Sequence, residues 1–157
     1  MASRSSPRSV PSPQGELSPV DGLVQLSVLI QNALARRAAE HDLSLIQIRL
    51  LGVLRDREPN MNELAKLLEL DKSSVSGLID RAERRGLVGR VPSRADGRVV
   101  LVRLTDVGRA LVSKVAPRLE ADVAKILGLL PATASEALTS GISRLLIAHA
   151  GEQRASL

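Results

Sequence analysis

Three helix starts lie within 28 residues of one another, and this spacing constrains the fold more than any other feature. Ser44 with Gln47, and Asn60 with Glu63, have the spacing of a capping box, in which each side chain satisfies the other residue's backbone N–H. Asp71 is a third residue of the type that caps a helix N-terminus. We therefore predict a run of short helices joined by tight turns.

Apolar spacing and turn-forming residues outline the rest of the chain. In chain order, the predicted elements are helices at 17–39, 44–55, 60–68 and 72–85, strands at 87–91 and 99–104 around a turn at 92–97, and helices at 105–127 and beyond 131. Two short helices joined by a tight turn and followed by a hairpin predict a mainly α fold with a small β-hairpin wing. This arrangement is the winged helix-turn-helix.

The composition excludes several kinds of site. The 157 residues suit one domain, and they include no Cys, Trp, Tyr or Phe, which excludes disulfides, thiolate metal sites, a cysteine redox switch and base stacking on aromatic rings. Residues 1–16 are rich in Ser, Pro and Arg and predict a disordered tail without the apolar core of a secretory signal. No apolar run approaches the about 20 residues that span a bilayer. We expect a cytoplasmic protein with no membrane partner, cofactor or metal.

The positive charge is concentrated in one quarter of the chain. Residues 72–109 contain nine basic and four acidic side chains, a surplus equal to the whole net charge of +5. Such a cluster is typical of a surface that binds a polyanion, although a solvated charged surface has the same composition. The basic residues are Lys72, Arg81, Arg84, Arg85, Arg90, Arg94, Arg98, Arg103 and Arg109.

The helix at 72–85 has an outward face suited to a groove of duplex DNA. Small or polar residues at its start allow close approach to base edges or phosphates in the major groove, and arginines further along would meet backbone phosphates. An ordinary capped surface helix rich in serine is the alternative. The candidate DNA-binding residues are Lys72, Ser73, Ser74, Ser76, Gly77, Arg81, Arg84 and Arg85.

The hairpin adds a second candidate DNA contact. Arg90, Arg94 and Arg98 crowd this short segment, and Asp96 lies two residues before Arg98. A guanidinium inserted into a narrow minor groove gains from the enhanced negative potential there. We predict that the Asp96 carboxylate holds the Arg98 side chain in position, whereas a merely solubilising hairpin tip is the alternative.

Six segments, taken together and in this order, resemble the MarR (multiple antibiotic resistance regulator) family. They are 43–49 (LSLIQIR), 63–65 (ELA), 70–76 (LDKSSVS), 80–88 (DRAERRGLV), 96–98 (DGR) and 104–109 (LTDVGR). The resemblance covers about residues 17–149 in one uninterrupted order. It leaves 1–16 and 150–157 as terminal tails.

The resemblance implies a homodimer that binds double-stranded DNA through an inverted-repeat operator. Within 17–149, it implies a helical dimerisation region at 17–42 and 106–149 and a DNA-binding lobe at 44–104. It also implies a recognition helix in the major groove, Arg98 in the minor groove braced by Asp96, and a small-molecule pocket between the dimerisation helices and the lobe. Two features depart from the family pattern. Gly77 replaces a larger polar or basic residue, and the chain lacks the aromatic walls of a phenolic-ligand pocket.

Two further residues are weaker candidates for the ligand pocket. His41 lies between two acids at the end of the first helix, where an exposed histidine favoured by the helix dipole is the simpler interpretation. Arg49 is either a pocket cation or a solvated helix residue. His149 has no metal-ligand pattern around it.

We therefore expect a homodimeric, sequence-specific DNA-binding transcriptional regulator of bacterial type, a repressor whose DNA affinity a small molecule modulates. The alternative is a winged-helix module for protein–protein assembly, which the concentrated charge disfavours because protein interfaces deplete charge at their core. An enzyme is not expected, since no nucleophile–base pair or phosphate-binding glycine loop is present.

Overall fold

The computed structural model of the chain describes residues 15–155 and has the predicted order of elements. The helices and strands are α1 (Pro19–Ala39), α2 (Leu45–Asp56), α3 (Met61–Leu68), α4 (Lys72–Arg84), β1 (Val88–Pro92), β2 (Val100–Leu104), α5 (Asp106–Leu127) and α6 (Ala132–Ala155). The mainly α fold with a two-stranded wing is confirmed. The tail at 1–16 lies, except for its last two residues, outside the described residues. Residues 150–155, which we assigned to a C-terminal tail, continue α6.

Both predicted capping boxes form. The Ser44 hydroxyl accepts the Gln47 amide, and the Gln47 side chain accepts the Ser44 amide at 2.9 Å. The Asn60 side chain accepts the Glu63 amide at 3.0 Å, and Glu63 accepts the Asn60 amide at 2.8 Å. These reciprocal bonds satisfy backbone donors that a helix start leaves without partners, so α2 and α3 begin where the sequence predicts.

Residues 15–119 form the first of two compact units and contain α1–α4, the hairpin and the first part of α5. Its core is built from aliphatic side chains alone, since the chain has no aromatic residue. The apolar face of α4 enters this core, which turns the opposite face of α4 to solvent. The largest fully buried side chains are Leu50, Leu64, Val75, Leu78, Ile79 and Val102.

The wing is an antiparallel hairpin fixed to the helices at its base. Its register runs from Val88 opposite Leu104 to Pro92 opposite Val100. Val102 also donates its amide to the carbonyl of Pro59 at 2.9 Å, so the turn before α3 pairs with the outer side of β2. These hydrogen bonds fix the orientation of the wing relative to α3.

Thr105 connects the end of α4 to the start of α5. Its hydroxyl donates to the carbonyl of Gly86 at 2.6 Å and accepts the amide of Gly108 at 3.0 Å, so Thr105 caps the start of α5. Gly86 has a φ of 67°, the left-handed conformation that favours glycine at a helix end. The amide of Thr105 donates to the carbonyl of Leu87 at 3.1 Å.

Residues 120–155 form the second unit, which comprises the end of α5 and α6. Large apolar side chains of α6 remain exposed, with Leu145 and Leu146 each 61% and Ile147 74% accessible. In the first unit, the N-terminal half of α1 has the same character, since Val20 is 70% and Leu23 is 62% exposed. Both stretches are apolar faces without a partner in the described chain.

Candidate nucleic-acid interface

The outward face of α4 carries the small polar residues that the sequence singles out. Lys72, Ser73 and Ser74 are exposed, and Ser76 and Gly77 are half-buried. A shallow groove runs along this face. The groove is lined by Ile46, Leu70, Ser73, Ser74, Gly77, Leu78 and Arg81.

Asp71 organises the first turn of α4. Its carboxylate accepts the Ser74 amide at 2.8 Å, the Ser73 hydroxyl at 2.5 Å and the Ser74 hydroxyl at 2.6 Å. These bonds, that of Ser73 first, hold the pKa of Asp71 far below its usual value, because each of them stabilises the charged form. The sequence predicted the backbone cap but not the capture of both hydroxyl groups.

Gly77 provides space that Arg81 occupies. A Cβ added at Gly77 would lie 3.3 Å from Nη1 of Arg81, so the guanidinium folds back over the glycine one turn earlier in the helix. From the sequence, Gly77 is notable because it replaces a larger polar or basic residue of the family pattern. In the structure, a donor-rich side chain covers that position from the next turn.

Arg84 and Arg85 face different surroundings, although the sequence placed both on phosphates. Arg84 is exposed. Arg85 donates from Nη1 to the carbonyl of Asp42 at 2.7 Å and from Nη2 to the carbonyl of His41 at 2.8 Å. It therefore joins the end of α4 to the turn between α1 and α2. His41 is half-buried rather than exposed, and its Nε2 has no hydrogen-bond partner within residues 15–155.

Arg90 likewise differs from the expectation of a DNA contact. It donates to Asp80 at 2.8 Å and to the Glu83 carboxylate, while its amide donates to Glu83 at 3.1 Å. Asp80 and Glu83 lie on α4 and Arg90 on β1, so this cluster holds the wing against α4. The guanidinium is occupied by protein carboxylates.

At the wing tip, Arg94 and Arg98 are both exposed. Asp96 accepts the backbone amide of Arg98 at 3.0 Å, and within the described chain no ion pair joins Asp96 to the Arg98 guanidinium. The side-chain brace therefore stays a prediction; in the structure the Asp96 carboxylate accepts a backbone amide of the loop. Further bonds close the tip, including the Val99 amide on the Asp96 carbonyl at 2.9 Å and the Ser93 amide on the Val99 carbonyl at 2.8 Å. Asp96 therefore orders the loop.

An apolar cleft lies between α1, α2 and the first part of α5, within the first unit. One cation, Arg55, lines it, and neither His41 nor Arg49 does; Arg49 is exposed elsewhere on α2. Arg55 is not among the residues predicted from the sequence, although its spacing from Ile48 and Gly52 places it on the same helical stripe. The cleft is lined by Leu34, Leu43, Ile48, Leu51, Gly52, Arg55, Leu111, Val112, Val115, Ala116 and Leu119.

Other kinds of site find no support in the described residues. No group of three or more His, Asp or Glu side chains between 15 and 155 is placed to hold a metal ion. None of the helices described there combines the length and the apolar character that crossing a membrane requires.

Known proteins share both the sequence and the fold. A sequence model of the MarR family matches residues 41–99. The transcriptional repressor NicR of Pseudomonas putida is 31% identical over 125 residues, which cover 74% of this chain and 77% of NicR. E. coli MarR superposes with a TM-score of 0.71 at 24% identity over 83% of this chain and 99% of MarR. The S. aureus MepR–DNA complex superposes with a TM-score of 0.68 at 20% identity, over 85% of this chain and 99% of MepR. The chain belongs to the MarR family of helix-turn-helix transcriptional regulators.

Proposed function

We propose that this regulator is a homodimeric repressor that binds an inverted-repeat operator and that a small molecule releases from DNA. The observation that carries the proposal is the outward face of α4, where small polar residues form an open groove with Arg81 along it. A helix with such a face enters a major groove without steric obstruction. The exposed Arg94 and Arg98 at the wing tip suit the adjacent minor groove.

The proposed contacts fall into two groups. Ser73 and Ser74 meet base edges, and the remaining residues of this face meet base edges or nearby phosphates; these are Lys72, Ser76 and Arg81. Arg84, Arg94 and Arg98 meet the backbone or the minor groove. Gly77 permits close approach. Arg85, Arg90 and Asp96 act indirectly, by fixing the recognition helix and the wing through the bonds described above.

Dimerisation is supported by the exposed apolar faces on α1 and α6. Exposed apolar patches of this kind mark interaction surfaces, and homodimers with two-fold symmetry are the commonest assembly. A two-fold dimer places two recognition helices about one DNA turn, roughly 34 Å, apart, so the operator would be an inverted repeat.

Ligand control is supported by the cleft between α1, α2 and α5, whose apolar lining suits the nonpolar part of a small organic molecule. Arg55 lies at its wall, where its guanidinium already donates to the Asp56 carboxylate at 2.8 Å. A ligand acts by preferring a dimer whose recognition helices are wrongly spaced for the operator. Repression is the mode named for the relative NicR.

The test begins with selection of bound duplexes from random DNA by the full-length chain, followed by titration of the recovered site. We expect an inverted repeat bound with steep salt dependence. Arg81→Ala should weaken this binding strongly, whereas Arg36→Ala, which removes the same charge from an exposed position on α1, should not. No enriched sequence, or equal effects of the two variants, would refute specific DNA binding and favour a protein-binding module.

Truncation after Pro131 tests the dimer. Because it removes α6, we expect a monomeric or aggregating protein that no longer binds the recovered site. A well-behaved monomer that still binds it would refute the dimer proposal.

A further inference from the structure

The hydroxyl groups of Ser73 and Ser74 are oriented by Asp71. Their oxygens lie 2.5 and 2.6 Å from the two carboxylate oxygens. An ionised carboxylate only accepts hydrogen bonds, and a serine hydroxyl has a single proton to donate. Both hydroxyl protons therefore point at Asp71, and both serines turn only oxygen lone pairs toward the groove.

The carboxylate stays ionised at the pH at which the protein works. The same hydrogen bonds lower the pKa of Asp71, and its place at the positive end of the α4 dipole stabilises the negative charge further. Hydrogen bonds to a charged partner are about twice as strong as neutral ones. The orientation of the two hydroxyls is thus set before any DNA arrives.

A hydroxyl that offers only lone pairs has few partners on duplex DNA. Phosphate oxygens are acceptors, and so are N7 and O6 of guanine and O4 of thymine in the major groove. The donors there are the amino groups at N6 of adenine and N4 of cytosine. Ser73 and Ser74 can therefore accept hydrogen bonds from these amino groups, but they cannot donate to the acceptor atoms in the groove.

Resting on the function proposed above, we propose that Ser73 and Ser74 read the amino groups of adenine or cytosine in each operator half-site. Asp71 is the positioning residue that imposes this preference by holding both hydroxyl protons. Arg81 has the opposite character, since a guanidinium only donates. Its place over Gly77, one turn along the same groove, suits a guanine within a base pair or two of the amino group.

The first test removes amino groups from the DNA. The probe is the duplex recovered by selection, in which each adenine is replaced in turn by purine and each cytosine by 2-pyrimidinone, analogues that lack only the exocyclic amino group. We expect one or two positions per half-site at which wild-type affinity falls about 5- to 100-fold. Ser74→Ala should bind the natural duplex and the duplex without the amino group equally well at one of these positions, because the variant has no hydroxyl oxygen to accept from that amino group.

The second test frees the hydroxyls without removing the helix cap. Asparagine caps helices about as well as aspartate but offers a single acceptor oxygen, so Asp71→Asn releases at least one serine proton. Selection with Asp71→Asn should recover guanine or thymine at positions where the wild type requires an amino group. Circular dichroism checks that α4 remains folded.

Glu69→Gln is the matched control for charge. Glu69 is an exposed acid in the turn before Asp71, and among the described residues its side chain holds no hydroxyl. We expect it to raise affinity for all duplexes alike and to leave the base preference unchanged. The same shift in base preference in both variants would overturn the inference.

The outcomes separate this inference from the function on which it rests. Specific binding that is indifferent to the loss of every amino group refutes the role of the serines and leaves the regulator intact. A chain that enriches no sequence at all refutes the proposed function and this inference with it.

Discussion

Gly108 is the position at which one added methyl group should damage the fold most. It is buried in the first turn of α5, where the helix passes directly beneath the start of β1. A Cβ at Gly108 would lie 2.0 Å from the carbonyl oxygen of Leu87 and 3.2 Å from Cδ2 of Leu104. The Leu87 carbonyl cannot retreat freely, because it accepts the amide of Thr105 at 3.1 Å.

The size of the effect follows from this geometry. An ordinary contact needs at least 3.4 Å, so helix and strand must separate by well over 1 Å in Gly108→Ala. Overpacking of this kind costs about 1–3 kcal/mol, and loss of the Thr105 hydrogen bond adds about 0.5–1.5 kcal/mol. The higher helix propensity of alanine returns up to about 1 kcal/mol. We therefore expect Gly108→Ala to lower the free energy of unfolding by about 2–3 kcal/mol.

Urea unfolding followed by far-ultraviolet circular dichroism measures this difference at one fixed protein concentration, since the chain has no aromatic fluorophore. Gly52→Ala is the control. Gly52 lies inside α2, and no atom comes within 4 Å of its added Cβ, so this variant should gain about 0.5–1 kcal/mol. If Gly108→Ala were as stable as the wild type, the close approach of α5 to β1 would be wrong.

Three further predictions concern α4 and the wing. Gly77→Ala should raise the unfolding free energy by about 0.5–1 kcal/mol, because alanine has the higher helix propensity. It should nevertheless weaken operator binding, because the added methyl group displaces Arg81; unchanged binding would contradict this. Arg90→Lys should weaken operator binding because a lysine cannot bridge two carboxylates, but it should not change the slope of log affinity against log salt concentration. Arg98→Ala should reduce that slope by about one. Equal slopes for the two variants, in titrations at several salt concentrations, would refute the proposal that Arg98 contacts DNA and Arg90 does not. The pKa of Asp71 is lower in the folded than in the unfolded chain, so the stability that its charge contributes is complete above the unfolded carboxyl pKa and is lost as pH falls below about 4. In urea unfolding at several pH values, Asp71→Asn should therefore lose less of its unfolding free energy at acid pH than the wild type does. The same loss in both proteins would contradict this prediction.

Local chemistry allowed the sequence to predict most of the fold. Ser44 with Gln47 and Asn60 with Glu63 are pairs three residues apart, so their bonds form wherever a helix starts. The same is true of the left-handed turn at Gly86, which needs only the absence of a Cβ. These signals fixed the order of elements and the outward face of α4 before any packing was known.

Tertiary structure decided which charged groups remained available. Arg85 reaches carbonyls 43 and 44 residues away, and Arg90 reaches carboxylates 7 and 10 residues earlier. From the sequence, both arginines had the same appearance as Arg98, whose backbone amide alone bonds Asp96 in the structure. The partner of a long arginine side chain depends on which acceptors the folded backbone brings within its reach. The residue type alone does not predict those acceptors. Arg55 belongs to the cleft for the same reason, since only the packing of α1 and α5 against α2 creates a wall for it to line.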